Sequence, residues 1–194
     1  MLLEGKNAVI YGGAGSIGRA MARAFAREGA TVHLAGRSQQ PLADAAAEIR
    51  ETGGDVETAQ LDACDQSAVD DHADSVATTS GSLDVSVNVI SLDETFGTPL
   101  VDAPLDEFAL RRQLAAEFGR HGIRVLTVQS NGVPETIRDA DARQAMDESV
   151  VSGTLLSRAA SLDDVGNVAV FAASDHARAM TATKLNITCG GEVD

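Results

Sequence analysis

Four glycines between a short apolar strand and an amphipathic helix constrain the fold of this chain more than any other feature. Gly12, Gly13, Gly15 and Gly18 follow the apolar residues 9–11 and precede a predicted helix. A strand, a glycine-rich turn and a helix in this order present backbone N–H groups and a helix N-terminus to a pyrophosphate. The segment therefore predicts a dinucleotide-binding unit at the start of the chain.

The remainder of the chain alternates predicted strands with predicted helices. Short apolar runs bounded by turn residues predict strands at 9–11, 31–35, 56–61, 83–90, 123–129 and 185–189. Apolar residues at helical spacing predict helices between the glycine turn and Gly29, and at 41–52, 66–78, 105–119, 137–151 and 162–173. The valine-rich strand at 83–90 is expected to be buried, and Ser161 and Asp164 have the spacing of a capping box. This alternation predicts an α/β fold, a doubly wound parallel sheet in three α/β/α layers, over a single domain of residues 1–194.

An excess of acidic residues limits the partners that this chain can have. The formal net charge is −14, whereas nucleic-acid phosphates require clustered Lys and Arg, so nucleic acid is not expected as a partner. No apolar run approaches the roughly 18 residues of a membrane-spanning helix, and the first residues lack the features of a signal peptide. We therefore expect a cytoplasmic protein without a membrane partner. Cys64 and Cys189 lack metal-ligand spacing, and we expect both to be reduced and buried.

Several segments, in order along the chain, resemble the short-chain dehydrogenase/reductase family. They are the glycine turn at 12–18 and the segments 35–38, 61–63, 83–91, 113–125, 131–136 and 185–191. The resemblance implies a Rossmann-like fold, an oxidoreductase that acts on a small molecule, and NAD or NADP as the cofactor. Two of these segments depart from the family pattern. Asn131 stands where the family has proline before Gly132, and Ser16 stands where many members have glycine.

The glycine turn and the resemblance together predict the cofactor-binding residues: Gly12, Gly15, Ser16, Ile17, Gly18, Arg37, Ser38, Asp62, Ala63, Asn88 and Thr136. By the resemblance, Asp62 contacts the adenine and the loop of Thr136 covers the nicotinamide. NAD-preferring members usually end the second strand with an acidic residue that accepts from the ribose 2′-OH. Here Arg37 and Ser38 stand at that place and Arg19 follows the glycine turn, which favours NADP. If these three side chains are merely solvated, NAD stays the alternative.

The residues that carry out the chemistry in the family have no counterpart in this chain. The resemblance implies a catalytic Ser and a Tyr-x-x-x-Lys motif, but the single tyrosine is Tyr11 in the first strand, and no lysine follows it at that spacing. We therefore predict no catalytic residue and no metal ligand. A block that includes the fifth strand is missing, which leaves six strands instead of seven.

The predicted junction of the missing block lies near residues 110–112. Within the helix at 105–119, Leu105 and Phe108 lie on one face, whereas Leu114 and Phe118 lie on nearly the opposite face. This change of side is expected where two half-helices from different parts of the family fold are joined. One helix buried on two sides is the alternative. Because the lost helices include those of the family's dimer interface, a homo-oligomer is possible and the oligomeric state stays open.

Two functions are compatible with these features. The first is an oxidoreductase by family resemblance, NADP(H)-linked, with absent or very low activity in this form. The alternative is a non-catalytic dinucleotide-binding or scaffold protein. The general-base candidates are the four histidines His33, His72, His121 and His176, each of which we expect to have a surface or structural role.

Overall fold

Six strands and five long helices alternate along the chain in the computed structural model, which describes residues 1–89 and 114–192. The strands are β1 (Asn7–Tyr11), β2 (Thr31–Gly36), β3 (Val56–Gln60), β4 (Val85–Asn88), β5 (Leu126–Gln129) and β6 (Thr183–Asn186). The helices are α1 (Ser16–Arg27), α2 (Gln39–Glu51), α3 (Gln66–Ser80), α4 (Ala140–Ser152) and α5 (Leu162–Ala173). Residues 114–118 are also helical, and short 3-10 turns lie at Gly119–His121, Pro134–Thr136 and Asp175–Ala177.

All strand pairs in the described part of the chain are parallel, as the α/β alternation predicts. Four strands form one sheet in the order β3-β2-β1-β4, and β5 pairs with β6. The fold class, a parallel sheet with helices, is therefore confirmed. The hydrogen-bonded ladders of the described residues join the six strands in groups of four and two. Because β1 pairs on both edges, all five of its residues are buried.

One face of the four-stranded sheet packs against α1 and α2, and α5 joins the same core cluster by packing against α1 and β5. The strand residues of this face include Ile10 and Leu34, which are fully buried in the main core cluster. Helices α1 and α5 pack closely at Gly166, where an added Cβ would lie 2.9 Å from the Ala24 Cβ atom and 3.2 Å from the Ala20 carbonyl oxygen. The absent side chain of Gly166 therefore allows the first and last long helices to pack together.

The other face of the sheet carries a smaller cluster beneath α3. Its buried members are Val9, Tyr11, Ala35 and Val76, and Val76 is the single buried residue of α3. The expectation that the fourth strand is buried is wrong in detail. The valines of β4 are partly buried on the main core side, whereas Ser86 and Asn88 are exposed, because successive side chains of a strand point to opposite faces.

Local signals predicted some boundaries correctly and others only approximately. Helix α5 covers 162–173 as predicted, and α1 ends before Gly29, which has a φ of +90°. Strand β6 begins two residues earlier than predicted and ends at Asn186, so Cys189 lies beyond it. The expectation of buried cysteines is wrong: Cys64 is exposed in the turn after β3, and Cys189 is partly exposed. The predicted junction at 110–112 lies outside the described residues.

Candidate dinucleotide-binding site

The glycine turn folds over the end of β2 through hydrogen bonds of its own backbone. The N–H groups of Gly12 and Gly13 both donate to the carbonyl oxygen of Ala35, at 2.9 and 3.2 Å, and Gly15 N–H donates to the Gly12 carbonyl at 3.0 Å. Gly12 has a φ of +84°, in the left-handed region that favours glycine. The turn thus links the carboxyl ends of the two central strands to the start of α1.

Gly18 is the position of the turn that can least tolerate a side chain. An added Cβ would overlap the carbonyl oxygen of Gly12 and would lie 2.8 Å from the Cα atom of Gly13. At Gly15, the nearest heavy atom to an added Cβ is 3.4 Å away, and both Gly15 and Ser16 are exposed. The first turn of α1 therefore packs directly on the glycine turn through Gly18, whereas Gly15 and Ser16 at its start are exposed.

Helices α1 and α2 begin without a side-chain cap. Gly15 and Ser38 are their N-cap residues, both in extended conformation; Gly15 has no side chain, and the Ser38 hydroxyl does not cap α2. Neither helix has an acidic residue in its first turn, although the chain contains 29 Asp and Glu residues. The first N–H groups of a helix have no partner within the helix, and they carry a partial positive charge. These two helix ends can therefore bind an anion.

The two arginines that the sequence offered for a 2′-phosphate occupy different environments. The side chain of Arg19 donates to the Ala14 carbonyl at 3.0 Å, to the Glu48 carboxylate at 2.7 Å and to the Pro41 carbonyl at 2.9 Å. Arg37 is exposed, and its guanidinium has no hydrogen bond or ion pair to any residue described in the structure. Arg19 therefore holds α1 to α2, and Arg37 is the cation left available at the end of β2.

Further predicted site residues follow the neighbouring strands β3 and β4 at the same edge of the sheet. Asp62 is exposed in the turn after β3, where its side chain accepts a hydrogen bond from Cys64 N–H at 3.0 Å. Ala63 is partly buried beside the smaller cluster. Asn88 is the last residue of β4 and pairs with Tyr11 of β1. Because carboxyl ends of parallel strands meet at one edge, these residues surround the glycine turn.

The turn that contains Thr136 lies against α1 as well. It follows β5 as the 3-10 segment Pro134–Thr136, packs against α1, and is anchored by the buried side chain of Val133. The Thr136 hydroxyl donates to the Val133 carbonyl at 2.8 Å. Glu135 is exposed, but its carboxylate accepts a hydrogen bond from the N–H of Leu162 at 2.6 Å. No sequence pattern indicated this contact, because its two residues are 27 positions apart.

Asn131, where the family has proline, carries a buried oxygen in the loop after β5. Its Oδ1 atom has no hydrogen-bond partner among the residues that the structure describes. An added Cβ on Gly191 would overlap the Nδ2 atom of Asn131. The second glycine of the final Gly-Gly therefore leaves room for this amide.

Tyr11 does not have the environment of a catalytic acid. It is 6% exposed, and burial, together with the negative charge of Asp70, raises the pKa of its hydroxyl. Its ring meets that of His72 edge to face, with centroids 6.0 Å apart. Burial and the nearby His33 lower the pKa of His72. Both rings belong to the packing beneath α3, which agrees with a structural role for this tyrosine.

The remaining histidines are distributed over separate elements. His33 is 2% exposed in β2 with its Nδ1 atom 3.4 Å from the Glu57 carboxylate, and His121 and His176 lie in 3-10 turns. Within residues 1–89 and 114–192, no three His, Cys, Asp or Glu side chains are grouped so that they could hold a metal ion. No helix in the same ranges is long and apolar enough to cross a membrane.

The fold and the glycine turn define an α/β protein with a candidate dinucleotide site, and sequence comparison identifies its family. Residues 6–104 match the family model described as short chain dehydrogenase, and residues 108–191 match the model described as Enoyl-(Acyl carrier protein) reductase. The first match alone covers half of the chain. The chain belongs to the short-chain dehydrogenase/reductase family.

Individual relatives match mainly over about half of the chain. An uncharacterized oxidoreductase of Bacillus subtilis is 35% identical over 106 residues, which are 55% of this chain and 38% of that protein. A short chain dehydrogenase/reductase of Macrophomina phaseolina is 37% identical over 101 residues, 52% of this chain and 57% of that protein. The match therefore spans less than two thirds of each relative.

Solved structures show the same fold at low sequence identity. A short-chain dehydrogenase/reductase from Serratia marcescens superposes with a TM-score of 0.81 at 19% identity, over 100% of both chains. A short chain dehydrogenase from Bacillus anthracis gives a TM-score of 0.83 at 20% identity, over 99% of this chain and 98% of that chain.

Proposed function

We propose that this chain binds a dinucleotide at the glycine turn and prefers NADP(H) to NAD(H). The observation that carries the proposal is the uncapped N-terminus of α1, which packs on the glycine turn through Gly18 and has no carboxylate in its first turn. A pyrophosphate fits such a helix end because its N–H groups and the helix dipole both favour negative charge. In this proposal Gly12, Gly15, Ser16 and Ile17 line the pyrophosphate.

The preference for NADP(H) rests on the end of β2. Arg37 is exposed and free of ion pairs to the described residues, and the Ser38 hydroxyl does not cap α2. A guanidinium and a hydroxyl at this place can bind a 2′-phosphate, whereas NAD-preferring members usually carry an acidic residue there. The guanidinium of Arg19, which the sequence also suggested, hydrogen-bonds to Glu48 and to the Pro41 carbonyl, so the proposal rests on Arg37 and Ser38.

We further propose that hydride transfer by this chain is absent or very low. The family mechanism needs a tyrosine with a lowered pKa to exchange a proton with the substrate, and burial raises the pKa of Tyr11 instead. Losing such an acid–base group costs a factor of about 10²–10⁴ in rate. Losing the partner that stabilises the carbonyl oxygen costs about 10²–10³. The two losses act on one transition state, so they need not multiply.

A non-catalytic dinucleotide-binding or scaffold protein is the second candidate. One observation favours it: the catalytic motif has no counterpart in this sequence. The two family matches meet between residues 104 and 108, close to the expected junction at 110–112, which fits a missing block under either candidate. The coding sequence around Leu110 discriminates the two. Some fifty further residues with Ser and Tyr-x-x-x-Lys, roughly two βα half-units, would make the parent protein an oxidoreductase. A contiguous reading frame would favour the scaffold.

Titration calorimetry with NADPH and with NADH tests the cofactor. We expect NADPH to bind more tightly and Arg37→Ala to remove most of the difference. Arg178→Ala is the matched control, since Arg178 is also exposed and has no side-chain ion pair to described residues. Equal affinities for the two nucleotides would contradict the NADP preference. Binding of neither would contradict the site itself.

NADPH consumption with a panel of ketones, aldehydes and quinones tests the activity. We expect turnover near background. Robust turnover that survives Tyr11→Phe would contradict the proposal, and it would assign the proton transfer to another group. The proposal also includes a cytoplasmic location, which cell fractionation tests. It leaves room for a homo-oligomer, and light scattering measures the oligomeric state.

A further inference from the structure

A single carboxylate connects the Thr136 turn to the start of α5. The Oε2 atom of Glu135 accepts a hydrogen bond from the backbone N–H of Leu162 at 2.6 Å. Leu162 is the first residue of α5, and its N–H is one of the donors that a helix cannot satisfy internally. The contact joins a surface turn to a helix that begins 27 residues later.

Two residues at the start of α5, Ser161 and Asp164, cap each other and leave the N–H of Leu162 to Glu135. The Ser161 hydroxyl accepts from Asp164 N–H at 3.0 Å, and the Asp164 carboxylate accepts from Ser161 N–H at 3.0 Å. Asp163 and Asp164 already place two carboxylates in the first turn. A third carboxylate there faces like-charge repulsion, which Arg158 partly offsets through its 2.7 Å ion pair with Asp164. The repulsion from Asp163 and Asp164 disfavours Glu135 at this position. Its charge-assisted hydrogen bond to the Leu162 N–H and the dipole of α5 offset that repulsion.

The contact also fixes the turn relative to the candidate cofactor site. The Pro134–Thr136 turn packs against α1, and α5 packs against α1 through Gly166. Helix α1 in turn begins at the glycine turn. Glu135 thus connects the segment that carries Thr136 to α5, which packs against α1, the helix that begins at the glycine turn.

We propose that Glu135 is a positioning residue for the nicotinamide half of the cofactor. It holds the Thr136 turn in place through the Leu162 N–H and does not itself touch the nucleotide. The inference rests on the proposed function, since it concerns the loop assigned to the nicotinamide. It predicts that losing the contact weakens binding of the whole dinucleotide but spares the adenine half.

The experiment compares the binding of two ligands to the unmodified chain and to three variants. The ligands are NADPH and adenosine 2′,5′-bisphosphate, which is the adenine half of NADP. Glu135→Ala should weaken NADPH binding by about tenfold, as expected for the loss of one charge-assisted hydrogen bond, and should change the affinity for the fragment by less than about twofold. Glu135→Gln keeps an acceptor and should recover most of the affinity. Asp163→Ala removes an exposed carboxylate from the same helix end and should leave both affinities unchanged.

The donor can be removed from the other side of the contact. Leu162→Pro deletes the N–H at the first position of a helix, where proline is tolerated, and Ser161 before it already has the extended conformation that proline requires. This variant should reproduce the Glu135→Ala effect, whereas Leu162→Ala, which keeps the N–H, should not. It provides the same test if Glu135→Ala fails to fold.

Three outcomes would overturn the inference. Unchanged NADPH affinity in both Glu135→Ala and Leu162→Pro would show that the contact does not position the turn. Equal losses for NADPH and for the fragment would show a general structural role. If the unmodified chain binds NADPH no more tightly than the fragment, the nicotinamide half makes no contact for Glu135 to position. Failure of the unmodified chain to bind either ligand would instead overturn the proposed function.

Discussion

The helices of this chain begin in two different ways. Helices α1 and α2 have no side-chain cap and no acidic residue in the first turn. Helix α3 is capped by Asp65, α4 by Asp139 with Asp141 in its first turn, and α5 by the Ser161–Asp164 capping box. The uncapped pair begins on either side of the glycine turn, α3 begins at the same edge of the sheet but is capped by Asp65, and α4 and α5 begin after β5. Whether a helix start has a side-chain cap therefore differs between the two helices next to the glycine turn and the other three.

An uncapped helix end is a local loss of stability. A side-chain cap contributes typically about 1 kcal/mol, so two helices of this chain forgo a stabilisation that the other three have. Ser38 is informative here because its residue type is a good cap, yet its hydroxyl does not cap α2. Donors left open at two adjacent helix ends are the arrangement that an anionic ligand requires.

Gly18→Val should have the largest effect, since it removes the close packing on which the open end of α1 depends. The branched side chain would overlap the Gly12 carbonyl and contact the Gly13 backbone. We expect NADPH binding to be abolished, and a loss of stability of about 1–3 kcal/mol from overpacking. Calorimetry and urea unfolding measure the two effects.

Gly15→Ala is the matched control in the same turn. An added Cβ at Gly15 has 3.4 Å of clearance, and the backbone there is extended, so folding should be preserved. A folded Gly18→Val variant that binds NADPH as tightly as the unmodified chain would show that the turn is not the site.

Ser38→Asp should convert an open helix end into a capped one. A carboxylate at this N-cap is expected to stabilise α2 by about 0.3–1 kcal/mol through the helix dipole. It should weaken NADPH binding by more than about tenfold, because it would stand where a 2′-phosphate is proposed, and should favour NADH. Ser38→Asn, a neutral cap of the same shape, separates charge from size. If Ser38→Asp leaves the NADPH affinity unchanged, the 2′-phosphate does not bind at the start of α2.

Paired alanine substitutions at two N-cap serines compare the helix types directly. Ser161→Ala should cost about 1 kcal/mol of unfolding free energy, because it breaks the capping box of α5. Ser38→Ala should change stability by less than about 0.5 kcal/mol, because its hydroxyl caps nothing. Thermal and urea unfolding of both variants measure the difference. Equal costs would contradict the assignment of Ser38 as an open end.

Acid should affect the capped helix α5 through Asp164. Its hydrogen bonds to Arg158 and to Ser161 lower the pKa of this carboxyl from 3.8 to about 2. A lowered pKa in the folded state means that Asp164 contributes stability above pH 4, and that this contribution is lost as the pH falls toward 2. The effect should be small, since the side chain is 35% exposed. Unfolding of the Asp164→Asn variant between pH 4 and pH 2 should show a weaker loss of stability than that of the unmodified chain.

Local sequence signals predicted those parts of the molecule that local physics determines. The glycine turn, the bounds of α5 and its capping box all depend on residues within a few positions of one another. The parallel pairing of the strands follows from the alternation of strands and helices, whereas the order β3-β2-β1-β4 is a finding of the structure. Of the site, Gly12 and Gly18 have the close packing that the motif implies.

Local sequence patterns could not predict contacts between segments that are far apart in the chain. Arg19 was a reasonable candidate for a phosphate, but Glu48, 29 residues away, engages its guanidinium. The burial of β4 and of Cys64 depends on which elements cover them, and periodicity does not contain that information. The link between Glu135 and Leu162 likewise arises only when the chain is folded.

During synthesis on the ribosome, α1 cannot pack against α5 until α5 has been made. Arg27 at the end of α1 donates to the side chain of Asn167, which is 140 residues further along. At about 5–20 residues per second, roughly 7–30 s separate the synthesis of these two partners. During that interval the Ala20 and Ala24 surface of α1 lacks the helix that covers it in the finished protein. The face of α1 that packs against α5 is therefore covered only after α5 has been synthesised.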